Sequence, residues 1–450
     1  MSSTKSMNNI MVLGAGGVGT VVAKGLQRIP AVDSILVADL SLERAETLVQ
    51  TLQDPRAHAM KVNAADSAAV AKAIQGCKIV IHAGIPRFNP FVMEACLQAG
   101  SHYIDMASDG PVDIPGVVTV QSQLAYNERF KEKGLLALLC IGSDPGVTNI
   151  LARYAYDRMK TVEDIVIYDG DNVTVRDYPF AITFSPETSI EECLQTPLTY
   201  ENGHFVTGKA LETGIEVFNF PEPVGQLTVR SVSHEEVGTL PLFLNQKGLK
   251  RCEFKYALSQ QYVDILKALQ TVGLDREETV KVGDSAVVPR KVVVSLLPQP
   301  SELSESMDGS SCVGTWVKGT DMDGMPLEMY MYTIQDNDHS RQDMGANITA
   351  FQAGIPPVVA VEMILDGTIQ EIGTVSPEQL DPEPWIQRLP KWGMPLHIRK
   401  TSHTQLKVSS WEHVNRPEVV SVSASATKGA TGAADLEEMD EADEMAVKIG

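Results

Sequence analysis

The stretch Ile10-Met11-Val12-Leu13-Gly14-Ala15-Gly16-Gly17-Val18-Gly19 decides how the first third of the chain folds. Four apolar residues read as a buried strand, and a G-x-G-x-x-G pattern follows directly and opens a helix running to about Arg28. In that setting each glycine of the pattern has a physical task. Gly14 permits a tight turn, Gly16 lets a pyrophosphate approach the backbone, and Gly19 lets helix and strand pack closely. The N–H groups at the helix start point at the phosphates, so Gly14, Ala15, Gly16, Gly17, Val18 and Gly19 read as one dinucleotide-binding turn. Asp39 ends the next strand, Ile35–Ala38, 20 residues beyond Gly19, where a carboxylate can hold both adenosine ribose hydroxyls. Its charge repels a 2′-phosphate and favours NAD, while Arg44, close by in sequence, keeps NADP possible.

Working outward, helical patterns at Leu42–Leu52, Ser67–Ile74, Phe91–Ala99 and Leu124–Lys133 alternate with strands at Ile79–Ala83, Tyr103–Ile104 and Leu135–Ile141. Gly76, Gly100 and Gly134 stop three of the helices. Strand and helix alternating this often predict an α/β fold: a doubly wound, Rossmann-type parallel sheet over 1–143. His82-Ala83-Gly84-Ile85-Pro86 ends a strand at the same edge, and the small Ala83 and Gly84 leave room for a nicotinamide ribose. Asn63, after the third strand, either reaches an adenine or is a plain turn residue. Beyond Gly142 the rhythm changes to strands without regular helices between them, at Ile165–Tyr168, Ile215–Phe220, Leu227–Ser231, Cys252–Tyr256, Val313–Lys318 and Glu328–Ile334. This predicts a second α+β domain over 144–345 with a mostly antiparallel sheet. Pro356–Leu365 reads as a helix with proline in its first turn, and 346–396 as a return to the first domain. The segment 397–450 fades into small, polar and then acidic residues, the composition of a partly disordered tail.

Composition narrows the function classes. Of 450 residues, 43% are hydrophobic and 21% charged, as in a globular protein. The 37 basic against 58 acidic residues give a net charge of −21, with seven acids between Asp435 and Glu444. A phosphate-backbone binder needs a basic face, so nucleic acid is not an expected partner. The longest purely apolar run, Leu135–Ile141, is too short to cross a bilayer, and MSSTKSMNN lacks the apolar stretch of a secretory signal. Six scattered cysteines without a C-x-x-C pair read as reduced thiols in a cytoplasm. No histidine pair shows metal-ligand spacing with a carboxylate, so no metal is expected.

Gly14–Gly19, Gly84-Ile85-Pro86-Arg87-Phe88-Asn89 and Ala99-Gly100-Ser101-His102-Tyr103-Ile104-Asp105 resemble the saccharopine dehydrogenase-like oxidoreductases, as does Gly142-Ser143-Asp144-Pro145-Gly146-Val147-Thr148-Asn149. Ser233-His234-Glu235-Glu236 and Gly314-Thr315-Trp316-Val317 look most like carboxynorspermidine dehydrogenases, and Asn149-Ile150-Leu151-Ala152 and Thr239-Leu240-Pro241 are as similar to lysine 6-dehydrogenases. The resemblance, over about Asn9 to Gly393, implies NAD(P)-dependent redox at a C–N bond of a lysine- or polyamine-related amino acid. It also implies a homodimer or larger assembly.

Candidate catalytic residues are Asp105 and Asp144, each after a parallel strand, and His234. Either Asp binds a substrate ammonium or exchanges its proton. The plainer alternatives are a capping carboxylate for Asp105 and an Asp-Pro-Gly turn for Asp144. His234, whose unperturbed pKa lies close to neutrality, suits proton transfer and precedes two acids that would orient it. Arg87 and Arg230 are candidate clamps for a substrate carboxylate. Asn149, at the end of the matching Asp144–Asn149 segment, joins them as a substrate-binding candidate. Two alternatives remain at this stage: oxidative deamination of lysine, and a regulator that binds nicotinamide nucleotide without turnover.

Overall fold

The computed structural model describes residues 7–108 and 120–402. Seven parallel strands form the first sheet, in the order Gly373–Val375, Leu136–Leu138, His102–Asp105, Cys77–His82, Asn9–Leu13, Ser34–Asp39, Ala57–Lys61. The chain reverses its direction of winding at Asn9–Leu13, which is flanked by the second and fourth strands. An open crevice belongs at such a point, beyond the carboxyl ends of the strands. Strands buried on both sides need near-continuous apolar sequence, and Ile10, Met11 and Val12, like Ile79, Val80 and Ile81, are fully buried.

The second sheet has nine strands built around Thr161–Asp171, which pairs antiparallel with Ser310–Thr320 and parallel with Arg251–Ala257. The remaining pairings are antiparallel. Alternation sorts its side chains: Ile165 and Ile167 join the large core shared with the first sheet, whereas Val166 and Tyr168 join an aromatic cluster with Phe220 and Tyr330 on the opposite face. Several helices here escape a reading by periodicity. They include Val147–Arg158, Pro186–Leu194 and Glu235–Phe243, the last with Pro241 inside it.

Three expectations are corrected. The helix containing Pro356 starts earlier, at Ile348, where Asn347 accepts the Ala350 N–H at 2.9 Å, so both prolines lie inside it. The strand expected over Leu135–Ile141 ends at Leu138, because Cys140 turns to φ +56 and gives its N–H to Asp105. Leu396–Ser402 is a strand paired with Pro326–Asp336, so the second sheet extends into the segment expected as tail. The acidic stretch lies outside the described residues.

Gly373–Val375 is the edge strand of the first sheet, and helix Ile348–Leu365 packs on helix Gly17–Gln27. By length and composition that helix could cross a membrane, but 72% of it is buried in the protein, as in a core helix. Glycines let the two helices meet closely. A Cβ at Gly25 would lie 2.5 Å from Val358, and one at Gly354 would lie 2.7 Å from Val21. Gly25→Val should therefore separate the pair and destabilise the protein by about 1–3 kcal/mol. A thermal unfolding scan would show the drop, and an unchanged midpoint would mean this helix contact does not hold the returning segment.

Candidate active site

The glycine turn sits at the crevice as its sequence requires. Gly14 has φ +121, its N–H donates to the Ala38 carbonyl at 2.7 Å, and a Cβ there would come within 2.4 Å of the Ala83 oxygen. A Cβ on Gly19 would strike the Gly14 oxygen at 1.8 Å. At Gly16 a Cβ would meet nothing within 4 Å. The turn is therefore closed on the protein side and open exactly where a pyrophosphate must lie close to backbone, with Gly17 and Val18 continuing into the helix. No side chain caps that helix and no acid occupies its first turn, so its N–H groups are available to an anion. Asp39 accepts the Ala15 N–H at 2.9 Å and the Ser41 N–H at 2.8 Å, which fixes a carboxylate beside the turn. Ala83 and Gly84 flank Gly14, and a Cβ on Gly84 would strike the His82 ring at 2.7 Å. These residues fit a dinucleotide. Asn63 uses its side-chain oxygen to accept the Ala65 N–H at 3.1 Å, an Asx turn.

The candidate catalytic residues fall into two networks. Asp105, 1% exposed, accepts from the Cys140 N–H at 2.6 Å, from Gln123 at 2.5 Å and from Asn89 at 3.2 Å. Burial raises its pKa to about 7 against the pull of these donors. Asn89 also touches the His82 ring at 2.6 Å, and burial lowers the His82 pKa to about 4. This network organises the floor beneath the Ala83–Gly84 loop.

The second network lies between the sheets. His234 precedes helix Glu235–Phe243, stacks on Phe254 at 3.8 Å, and is 9% exposed. Its Nδ1 makes a short contact with Glu236 and lies 3.5 Å from Glu235. Burial opposes the imidazolium, but Glu236, Glu235 and Glu192 overcome it and raise the pKa well above 6.5. Glu236 also accepts from Thr148 at 2.8 Å, and Glu235 from the Ser108 N–H at 2.7 Å. His234, Glu235 and Glu236 offer ligand atoms within 4.8 Å of one another, yet each is already engaged in these internal bonds.

Asp144 and Asp169 hydrogen-bond to each other across this space. Burial raises the pKa of Asp144 to about 7, and burial together with Asp144 raises that of Asp169. The half-buried Asp171 and Glu192 are raised by burial as well, to about 6 and about 8. Two ionised carboxylates about 4 Å apart repel by about 4 kcal/mol at an effective dielectric of 20, more than a hydrogen bond returns. Such a cluster therefore keeps protons or takes a cation.

The other candidates divide. Arg230 is 7% exposed and lies on the same sheet row as Tyr256 and Asp169. Among the described residues it meets one hydrogen-bond partner, the Leu211 carbonyl at 3.1 Å, and its Nε is buried without one. Arg87 instead pairs with Glu187 at 3.3 Å, on the helix Pro186–Leu194. Asn149 is buried, accepting the Gly146 N–H at 2.9 Å and donating to Glu378 at 3.0 Å, so its amide holds the start of its own helix. Sequence reading missed Asp169, Asp171, Glu192 and Tyr256. In Ile165-Val166-Ile167-Tyr168-Asp169-Gly170-Asp171 the two acids continue the face of Ile165 and Ile167, and that period-two pattern was the available signal.

Residues 10–138 match the family model described as the saccharopine dehydrogenase NADP binding domain, and residues 142–394 match the saccharopine dehydrogenase C-terminal domain. The chain belongs to the saccharopine dehydrogenase family. As a member of it, the protein is an NAD(P)-dependent oxidoreductase. It is 30% identical over 405 residues to a carboxynorspermidine synthase of Vibrio cholerae, covering 86% of this chain and 95% of that one. It is 29% identical over 397 residues to a carboxyaminopropylagmatine dehydrogenase of Synechocystis sp., covering 87% and 97%. The apo saccharopine dehydrogenase (L-Glu forming) of Saccharomyces cerevisiae shares the fold, with a TM-score of 0.67 at 14% identity over 88% of this chain and all of that one.

Two outcomes follow for this saccharopine dehydrogenase family member. Gly16→Val adds a side chain only to open space, so the thermal midpoint should hold while NADH affinity, read by tryptophan fluorescence, falls at least about tenfold. Unaltered NADH binding would place the pyrophosphate elsewhere. Glu236→Gln removes the charge that holds His234 protonated, so its imidazole pKa, followed by NMR, should fall. In wild type the raised folded pKa means that His234 contributes stability below 6.5, lost as pH rises through the folded value. That loss should be smaller in the variant, and an unmoved imidazole titration would contradict the assignment.

Proposed function

We propose that the protein reduces or forms a secondary amine at a C–N bond of a carboxyl-bearing polyamine such as carboxynorspermidine, using NAD in preference to NADP. The observation that carries this reading is the acid-rich space between the sheets, where Asp144, Asp169, Asp171, Glu192 and Glu235 gather around one imidazole, with Arg230 on the same sheet row as Asp169. Ammonium groups along a polyamine chain relieve that excess, and a lone carboxylate on the same molecule matches Arg230. The names of the two curated relatives point to substrates of this kind.

A bound nicotinamide supplies or accepts the hydride at the carbon attached to nitrogen. The protein's own residues do the rest. The glycine turn and Asp39 hold the nucleotide, Ala83 and Gly84 keep the crevice floor low, and the acids orient the amine. His234, paired with Glu236 and Glu235, holds a proton beside them. Asp39, with its carboxylate fixed next to the turn, disfavours a 2′-phosphate and supports NAD. We further propose a homodimer that meets through strands of the second sheet, and a cytoplasmic setting that suits six free, buried thiols.

A panel of carboxynorspermidine, saccharopine and lysine, read by nicotinamide absorbance with each nucleotide, tests the reading. Turnover is expected with carboxynorspermidine, at higher efficiency with NAD than NADP. Turnover of lysine alone would assign the protein to oxidative deamination instead, and equal or better efficiency with NADP would show that Arg44 outweighs Asp39.

A further inference from the structure

Arg230 and the pair Asp144–Asp169 have complementary deficits. The pair consists of two half-buried carboxyls bonded to each other, and among the described residues neither forms a salt bridge with lysine or arginine. Arg230 has a buried Nε without a partner and no carboxylate within ion-pair reach among the described residues. Register puts them on one row of one sheet face. Arg230 is paired with Tyr256, and Tyr256 with Asp169. Adjacent strands lie about 4.8 Å apart, so the two backbones are about 10 Å apart, a span suited to one small amino-acid-like molecule. Tyr256 stands between them.

We propose that Asp144 and Asp169 share a single proton and give it up when the protonated nitrogen of an amino-acid-like amine settles between them, with Arg230 gripping the carboxylate of the same molecule. This rests on the C–N reading above and adds the seat and the proton to it. The exchange balances: an ammonium and the singly protonated pair become an ammonium held by two carboxylates, with one proton released to solvent. In the reductive direction that proton instead goes to the imine nitrogen while the adjacent carbon gains hydride from the reduced nicotinamide. The C=N π bond breaks, one N–H and one C–H bond form, and the pair is reprotonated from water.

The groups facing the pair come from several neighbouring elements: His234, Glu235 and Glu236 at the start of one helix, Glu192 from another, and Asp171 and Tyr256 from the sheet. His234 is the one cation among them, and its Nδ1 is already turned to Glu236. The surrounding acids all favour retention of the shared proton until a cation replaces it.

Calorimetric titration of the full chain with carboxynorspermidine, without cofactor and in two buffers of different ionisation enthalpy, measures the exchange. About one proton should be released per ligand bound at pH 7, and the release should shrink as pH rises and the pair ionises beforehand. Asp169→Asn should abolish the release and weaken binding at least about tenfold, with NADH fluorescence showing that the variant is folded. Arg230→Lys should weaken carboxynorspermidine but not 1,3-diaminopropane, which has no carboxylate. Binding without proton release in wild type, no binding at millimolar ligand, or undiminished release in Asp169→Asn would each overturn the proposal. Turnover of carboxynorspermidine without proton-linked binding would remove the pair and leave the C–N reading standing. Proton-linked binding without turnover on either nucleotide would do the reverse.

Discussion

Repulsion between carboxyl groups brought together out of bulk water governs this protein. The fold places acids from two helices, one loop and one strand around a single space and, among the described residues, gives them the imidazole of His234 as the cation in reach. Such an arrangement persists only with protons retained or cations admitted. Burial is the first cause that raises the pKa values of Asp144, Asp169, Asp171 and Glu192, and neighbouring acids add to it for Asp144, Asp169 and Glu192.

Two sheets are needed to build it. The first offers a crevice beside Asn9–Leu13, where the tight contacts of Gly14 and Gly19 leave only Gly16 open to a ligand. The second contributes Asp169 and Arg230 from one face of a row whose opposite face is an aromatic cluster. Helices bridge the two. Thr148, just after the first sheet's last loop, bonds Glu236, and Arg87 reaches Glu187. Redox chemistry at a C–N bond needs its reacting partners held in one geometry, and these contacts tie the residues carried by the two sheets to one another.

The first sheet was legible because its signals are local. The glycine spacing, the strand-helix alternation and Asp39 each involve a few neighbouring residues, and helix Leu42–Leu52 falls where its pattern put it. The acid cluster was only partly legible, because its members meet through register and through helices that periodicity hid. Asp144 could be named from its place after a parallel strand and His234 from a resemblance, but Asp169 acquires meaning only once Thr161–Asp171 is paired with Arg251–Ala257. Arg87 and Asn149 show what local sequence leaves out. Both have suitable chemistry, yet a third-dimension neighbour, Glu187 for one and Glu378 for the other, engages them within the protein. The prolines at 356 and 357 misled for a related reason: tertiary burial of an apolar helix overrode a residue that usually starts one.

The most direct measurement is a crystal structure of the full chain with nicotinamide nucleotide and a carboxyl-bearing polyamine. It should place the pyrophosphate over Gly14–Gly19, an amine nitrogen between Asp144 and Asp169 within hydrogen-bond distance of both, and the ligand carboxylate on Arg230. A nucleotide bound away from the glycine turn, or an amine seated away from the carboxyl pair, would contradict the account.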